Sequence, residues 1–100
     1  VIIHILGSAR RDLAAGFRFY QRQAPGLGGY FLDSLSSDID SLLISAGVHA
    51  KAFRRYHRLL SKRFPYAIYY RMQGQEVRVV AVFHSRRDPA WIDNQLKRRT

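Results

Sequence analysis

The chain opens on a nearly unbroken apolar run, Val1–Leu6, rich in β-branched residues, which predicts a strand lying within a sheet or against one. Gly7-Ser8 breaks the run, and Ser8 is placed to cap a helix. Over residues 9–23 the apolar positions recur at three- and four-residue steps. Ala9, Leu13, Phe17 and Tyr20 form one stripe, with Arg10, Arg11, Arg18 and Arg22 largely outside it. Pro25-Gly26 and Gly28-Gly29 mark a break. A second helix is predicted from Leu27 or Gly29 to about Ser45. Its inner face carries Phe31, Leu35, Ile39, Leu42 and Ala46, its wet side Asp33, Ser36, Ser37 and Asp40. Gly47 supplies the stop. So short a link between two helices predicts an antiparallel hairpin.

From Phe53 the period changes to two. Phe53, Arg55, His57 and Leu59 point one way, Arg54, Tyr56, Arg58 and Leu60 the other. Pro65 delays the next strand to Tyr66, where Tyr66, Ile68 and Tyr70 oppose Ala67, Tyr69 and Arg71. Gln73-Gly74 reads as a hairpin turn. In the last strand Val77, Val79, Ala81 and Phe83 fall on one side, with Arg78, Val80, Val82 and His84 on the other; both sides are largely apolar, so the strand is expected to be central. Asp88-Pro89 can start a short last helix, with Trp91, Ile92 and Leu96 on one flank. The predicted order is β-α-α-β-β-β and a short C-terminal helix. It describes a single α+β domain over residues 1–100, a helix hairpin packed on a small, mainly antiparallel sheet with the first strand at its edge.

Composition narrows the class. One hundred residues suit one domain, and an apolar fraction of 47% suffices for one modest core. The absence of cysteine excludes disulfides, a thiolate nucleophile and cysteine zinc sites. No apolar run nears the roughly 20 residues of a membrane helix. VIIHIL is short for a signal-peptide core and has no basic region before it, so a soluble, cytoplasmic protein with no membrane partner is expected. His4, His49 and His57 lack metal-ligand spacing, and neither metal nor cofactor is expected.

Charge changes the picture most. Seventeen Lys and Arg face seven Asp and Glu, and fourteen of the seventeen are Arg. Residues 51–87 hold ten of the basic groups against one acid, Glu76. A guanidinium presents a planar fork of donors that matches phosphate and carboxylate. An anionic partner follows: nucleic acid, a nucleic-acid-bound machine, or an acidic protein. The plainer reading is a solvated basic surface that aids solubility, which does not require clustering on one half of the chain.

Four segments in order carry a resemblance: ARRDLAAGFRFY in the first helix, FPYAIYYR and VVAVFH in the sheet, and HSRRDP at its exit. Together, over roughly residues 2–92, they resemble the RelE/ParE toxin superfamily. The resemblance implies the toxin half of a type II toxin–antitoxin pair of the plasmid-stabilisation kind, neutralised by a cognate antitoxin, with a homodimer within the complex left open. ParE-like members poison DNA gyrase; RelE-like members cut mRNA on the ribosome. Cleavage through the 2′-hydroxyl needs cations to stabilise charge growing on the phosphate, and groups that move protons. Arg55, Arg58, Arg71, Arg86 and Arg87 are candidates for the first role and His84 for the second. No Tyr or His follows Arg87, a departure from the nuclease pattern; Trp91 stands in the last helix instead. FPYAIYY and RRDP are also closer to ParE-like members. The resemblance therefore favours gyrase poisoning, with the ribosome-dependent nuclease as its alternative and a harmless nucleic-acid-binding module as a third class.

Each candidate has a structural reading beside the functional one. Arg55, Arg58, Arg71, His84, Arg86, Arg87 and Trp91 are expected to meet the target or the antitoxin. Equally, Arg54 and Arg58 can pair with helix acids such as Asp38 or Asp40, leaving Arg55 to the partner, or the reverse. Arg71 can simply keep the turn soluble, Asp88 can serve Arg86-Arg87 as cap and counterion, and Trp91 can plug the sheet–helix junction. Tyr66 and Tyr70 are expected in the core, with Tyr69 open between core and base stacking.

Overall fold

A computed structural model describes residues 1–99. In chain order the elements are β1 (Ile2–Ile5), α1 (Gly7–Gln23), α2 (Leu27–Asp40), α3 (Leu42–Ser45), a 3-10 turn (Phe53–Arg55), β2 (His57–Leu60), β3 (Tyr66–Gln73), β4 (Glu76–His84) and α4 (Pro89–Arg99). The four strands form one sheet in the order β1-β4-β3-β2. β1 runs parallel to β4 at one edge, and β2, β3 and β4 are antiparallel. The expected α+β architecture is thus present, with β4 inside the sheet.

The sheet is covered on both faces. Phe31, Leu35, Ile39 and Leu42 from the helix hairpin bury against Ile68, Tyr70, Val77, Val79 and Val82. On the opposite face Ile92 and Leu96 of α4 bury against Tyr56, Ala67, Tyr69, Val80, Ala81 and Phe83. Burial on both sides explains why β4 reads as an almost continuous apolar run.

Four details depart from the sequence reading. Ser8 does not cap α1; the N-cap is Leu6, and the Ser8 hydroxyl donates to the Val80 carbonyl at 2.7 Å. The second helix is broken after Asp40, where the Ser41 hydroxyl takes the Asp38 carbonyl at 2.6 Å and competes with the helix ladder. The strand expected from Phe53 begins only at His57. Arg54 and Arg55 both adopt positive φ, 51° and 69°, and the loop closes on itself through Ala52 N–H to Tyr56 O at 2.7 Å.

The fourth departure positions the site. The β3–β4 register shifts between Tyr69, opposite Ala81, and Tyr70, opposite Val79, which leaves Val80 as an extra residue. Such a bulge inverts the alternation beyond it. Val77 and Val79 therefore face the hairpin, whereas Ala81 and Phe83 face α4, not the hairpin side that a single alternation predicts. Val82 and His84 turn towards α1 instead.

Candidate functional site

The outer side of α1, the end of β4 and the β4–α4 turn enclose a cleft of about 610 Å³. Asp12, Phe19 and Arg22 line it from α1, and Val82, Phe83 and His84 from β4. Arg86, Arg87, Trp91 and Arg99 complete it, with Tyr66 at its side. α1 contributes because its stripe faces the core, which leaves Arg22 and Phe19 on the rim. The bulge contributes by aiming His84 at the cleft.

Several contacts fix the cleft's shape. Arg99 reaches from the end of α4 to Asp12, Nη1 to Oδ2 at 2.5 Å and Nη2 to Oδ1 at 3.0 Å. Its guanidinium also lies 4.7 Å from the centre of the Phe83 ring. Phe83 meets Trp91 edge to face, with centroids 4.9 Å apart. Arg87 stacks on the other partner in this series, its guanidinium 4.1 Å from the Trp91 ring centre. The His84 ring packs against Tyr66, and its Nδ1 accepts the Arg86 backbone N–H at 3.2 Å. Burial raises the Tyr66 hydroxyl above its ordinary pKa, Tyr20 adds to the rise, and Arg87 pulls it down. Tyr66 is therefore a protonated donor at neutral pH.

A second basic cleft, of about 480 Å³, is lined by Arg54, Arg55, Tyr56 and Arg71. It shares no lining residue with the first. Arg54 is tied to Asp93 at 3.3 Å, and Arg71 lies 5.9 Å from the centre of the Tyr56 ring.

The expected site residues are therefore divided. His84, Arg86, Arg87 and Trp91 share the first cleft, and Arg55 and Arg71 belong to the second. Arg58 lines neither: its Nε donates to the hydroxyl of fully buried Tyr69 at 3.1 Å, a bond that holds β2 to β3. Neither Arg54 nor Arg58 pairs with Asp38 or Asp40; Asp38 instead accepts the Ser61 hydroxyl at 2.6 Å. Asp88 caps α4 through the Trp91 N–H at 3.2 Å, and no ion pair joins it to Arg86 or Arg87 among the described residues. Trp91 is half-buried on Phe83, so it braces Arg87 more than it offers itself to a partner. Asp12, Arg22 and Arg99 escaped the sequence reading. The only signal was that Arg22 lies off the apolar stripe of α1; nothing local links residues 12 and 99.

The fold is shared with known proteins. The family model described as ParE toxin of type II toxin-antitoxin system, parDE, matches residues 3–89. A solved structure titled "Chromosomal ParDE TA system from P. aeruginosa" superposes with a TM-score of 0.76 at 17% identity, covering 84% of this chain and 95% of that one. No curated relative matches the chain in sequence. No helix among the described residues is long and apolar enough to cross a membrane.

Proposed function

Because the chain belongs to the ParE toxin family of type II toxin–antitoxin systems, we propose that it arrests growth by poisoning DNA gyrase in the cytoplasm, and that a cognate antitoxin neutralises it. The observation that carries the reading is the first cleft. It gathers Arg22, Arg86 and Arg87 on one rim, with Arg87 stacked on Trp91, and Asp12, the acid among its lining residues, is already neutralised by Arg99. Such a rim suits an anionic macromolecular surface, with charge accelerating the encounter and apolar contacts setting the lifetime of the complex.

The ribosome-dependent nuclease is the weaker reading. In-line cleavage requires cations and a proton-transfer group converging on one phosphate. Here only part of the expected set converges: His84, Arg86 and Arg87 share the first cleft, whereas Arg55 and Arg71 line the second, Arg58 is bonded to Tyr69, and no Tyr or His follows Arg87 in the sequence.

The test is a supercoiling reaction with purified gyrase. Added protein is expected to stall supercoiling and to accumulate cleaved DNA complexes, while mRNA on translating ribosomes stays intact. Undisturbed supercoiling together with mRNA cut in the decoding site would reverse the order of the two readings.

A further inference from the structure

The second basic cleft lies apart from the first, and Arg54, Arg55, Tyr56 and Arg71 line it. The sheet sets its position. Tyr70, Val77 and Val79 face the helix hairpin, so Arg71 and Arg78 point to the α4 side. These two arginines are direct cross-strand partners, and His4 of β1 stands in register with Arg78. The Arg71 guanidinium lies 5.9 Å from the ring centre of Tyr56, just before β2. Towards the β3–β4 turn, the face that α4 covers elsewhere is therefore a row of basic side chains that ends in the cleft.

Two features of this row work against stability. Like charges directly opposite one another on a sheet face repel. Glu76 answers Arg78, with Nη1 to Oε1 at 2.7 Å, and lies 3.3 Å from His4; Asp93 answers Arg54. No carboxylate among the described residues pairs with Arg55 or Arg71. The adjoining turn is also strained. Arg54 and Arg55 hold positive φ, 51° and 69°, a region that Gly or Asn occupies at less cost. Such residues persist where the surrounding structure imposes them, and they gather at ligand clamps. Here the strained turn places Arg55 in one cleft with Arg71.

We propose that this cleft binds a phosphate group through Arg55 and Arg71, supplied by a free phosphorylated compound or by a nucleic-acid backbone. A phosphomonoester carries nearly two negative charges at neutral pH, which the two unpaired guanidiniums match. Each guanidinium fork can take two phosphate oxygens, and the bound anion offsets the Arg71–Arg78 repulsion. A side-chain carboxylate brings a single charge and only two oxygens, a poorer match for two forks. Recognition stops at the phosphate, because Tyr56 is 3% exposed and already faced by Arg71, which leaves no ring face for a base. Chemistry stops at binding: no histidine lines the cleft, and Arg54 holds the Asp93 carboxylate. The site is independent of the gyrase reading, which rests on the first cleft.

The probes are inorganic phosphate, oligothymidylate without terminal phosphates, and a glutamate octapeptide. Each is titrated into isotope-labelled protein while the arginine Nε–H resonances are followed. Arg55 and Arg71 are expected to shift saturably with a phosphate probe. Whichever of the two saturates them at the lower concentration of phosphate groups identifies the source, a free phosphate or a nucleic-acid strand. Arg71→Glu should bind at least about tenfold more weakly, a charge-assisted contact giving way to repulsion. It should also unfold at a higher temperature than wild type, because Glu opposite Arg78 makes an attractive pair. Arg55→Gly relieves the positive φ, so it should stay folded and lose about tenfold in binding. Arg63→Glu changes net charge as Arg71→Glu does but lines neither cleft, and should weaken binding by less than about threefold, since salt screens distant charges.

Equal weakening by Arg71→Glu and Arg63→Glu overturns the proposal, because the basic surface as a whole then attracts the anion. So do Arg55 and Arg71 resonances that neither phosphate probe moves, or that the glutamate octapeptide moves at lower concentration than both. If Arg71→Glu destabilises the fold, Arg55→Gly decides: phosphate binding undiminished in that variant ends the proposal.

Discussion

Asp12, in α1, and Arg99, at the end of α4, form a two-pronged ion pair across 87 positions of sequence. Their side chains are only 14% and 20% exposed. The pair does three jobs at once. It pins α4 to α1 around the end of the sheet, it satisfies the Val82 N–H, and it holds a cation over Phe83. Through Phe83 and Trp91 the same packing braces Arg87 at the cleft rim.

Asp12→Ala should therefore cost about 2–4 kcal/mol of stability, since it leaves a mostly buried guanidinium without its counterion and the Val82 N–H without its acceptor. Arg99→Met, which keeps much of the aliphatic bulk, should cost less. Urea unfolding of both single variants and the double variant measures the coupling. A coupling near zero would mean that the two side chains merely lie side by side.

The helix hairpin depends on two glycines and is indifferent to a third. A Cβ on Gly16 would sit 2.5 Å from Phe31 Cζ, and one on Gly28 would sit 2.7 Å from the Phe17 carbonyl oxygen. Phe31 is fully buried and Phe17 O is backbone, so neither can yield cheaply. Gly16→Ala and Gly28→Ala should each destabilise by about 1–3 kcal/mol, overpacking outweighing the gain in helix propensity. Gly29→Ala meets nothing within 4 Å and should stabilise by up to about 1 kcal/mol. Thermal unfolding of the three variants checks the contrast in sign.

How far the sequence reveals all this depends on the range of the interaction. The helix hairpin, the hairpin of β3 and β4, and the central place of β4 were legible, because each rests on local periodicity or turn chemistry. The bulge at Val80 was not, since an apolar residue suits either face and only the pairing with Tyr69 and Tyr70 shifts the phase. That single residue decides that His84 faces the cleft while Phe83 supports it from the α4 side. Arg54 and Arg55 read as strand because alternation is blind to a positive φ imposed by a closing loop. His84, Arg86 and Arg87 announced themselves by clustering; Asp12 and Arg99 could not, for only the fold brings them together.

Acid should loosen the segment between α3 and β2. The Tyr70 hydroxyl accepts the Gly47 N–H at 2.9 Å and lies 2.5 Å from His49 Nδ1, which it can serve as donor while that ring is neutral. Burial, with His57 adding to it, holds His49 below its ordinary pKa of 6.5. The unfolded chain therefore takes up this proton first, so the contribution is complete above about pH 6.5 and is lost as pH falls towards the lower folded value. The thermal midpoint should drop between about pH 7.5 and about pH 5.5, and His49→Asn, a non-titrating acceptor, should flatten that slope. An unchanged slope in the variant would assign the acid sensitivity elsewhere.

The growth-inhibiting surface is testable by charge reversal in matched pairs. Arg86 and Arg87 are exposed on the rim of the first cleft, and Lys62 and Arg63 are exposed but line neither cleft. Turning either pair to Glu alters net charge by the same amount, so long-range attraction to an anionic target weakens comparably in both. Only the first pair alters the cleft. Arg86→Glu/Arg87→Glu should reduce growth inhibition by at least about tenfold, because close charge contacts are lost as well as steering, whereas Lys62→Glu/Arg63→Glu should lower it only modestly and recover at low salt in a purified assay. Circular dichroism and thermal unfolding must show both variants folded; the first should lose only about 0.5–1 kcal/mol from the Arg87–Trp91 stack. Equal loss in the two pairs would make the basic surface as a whole, and not this cleft, the agent of toxicity.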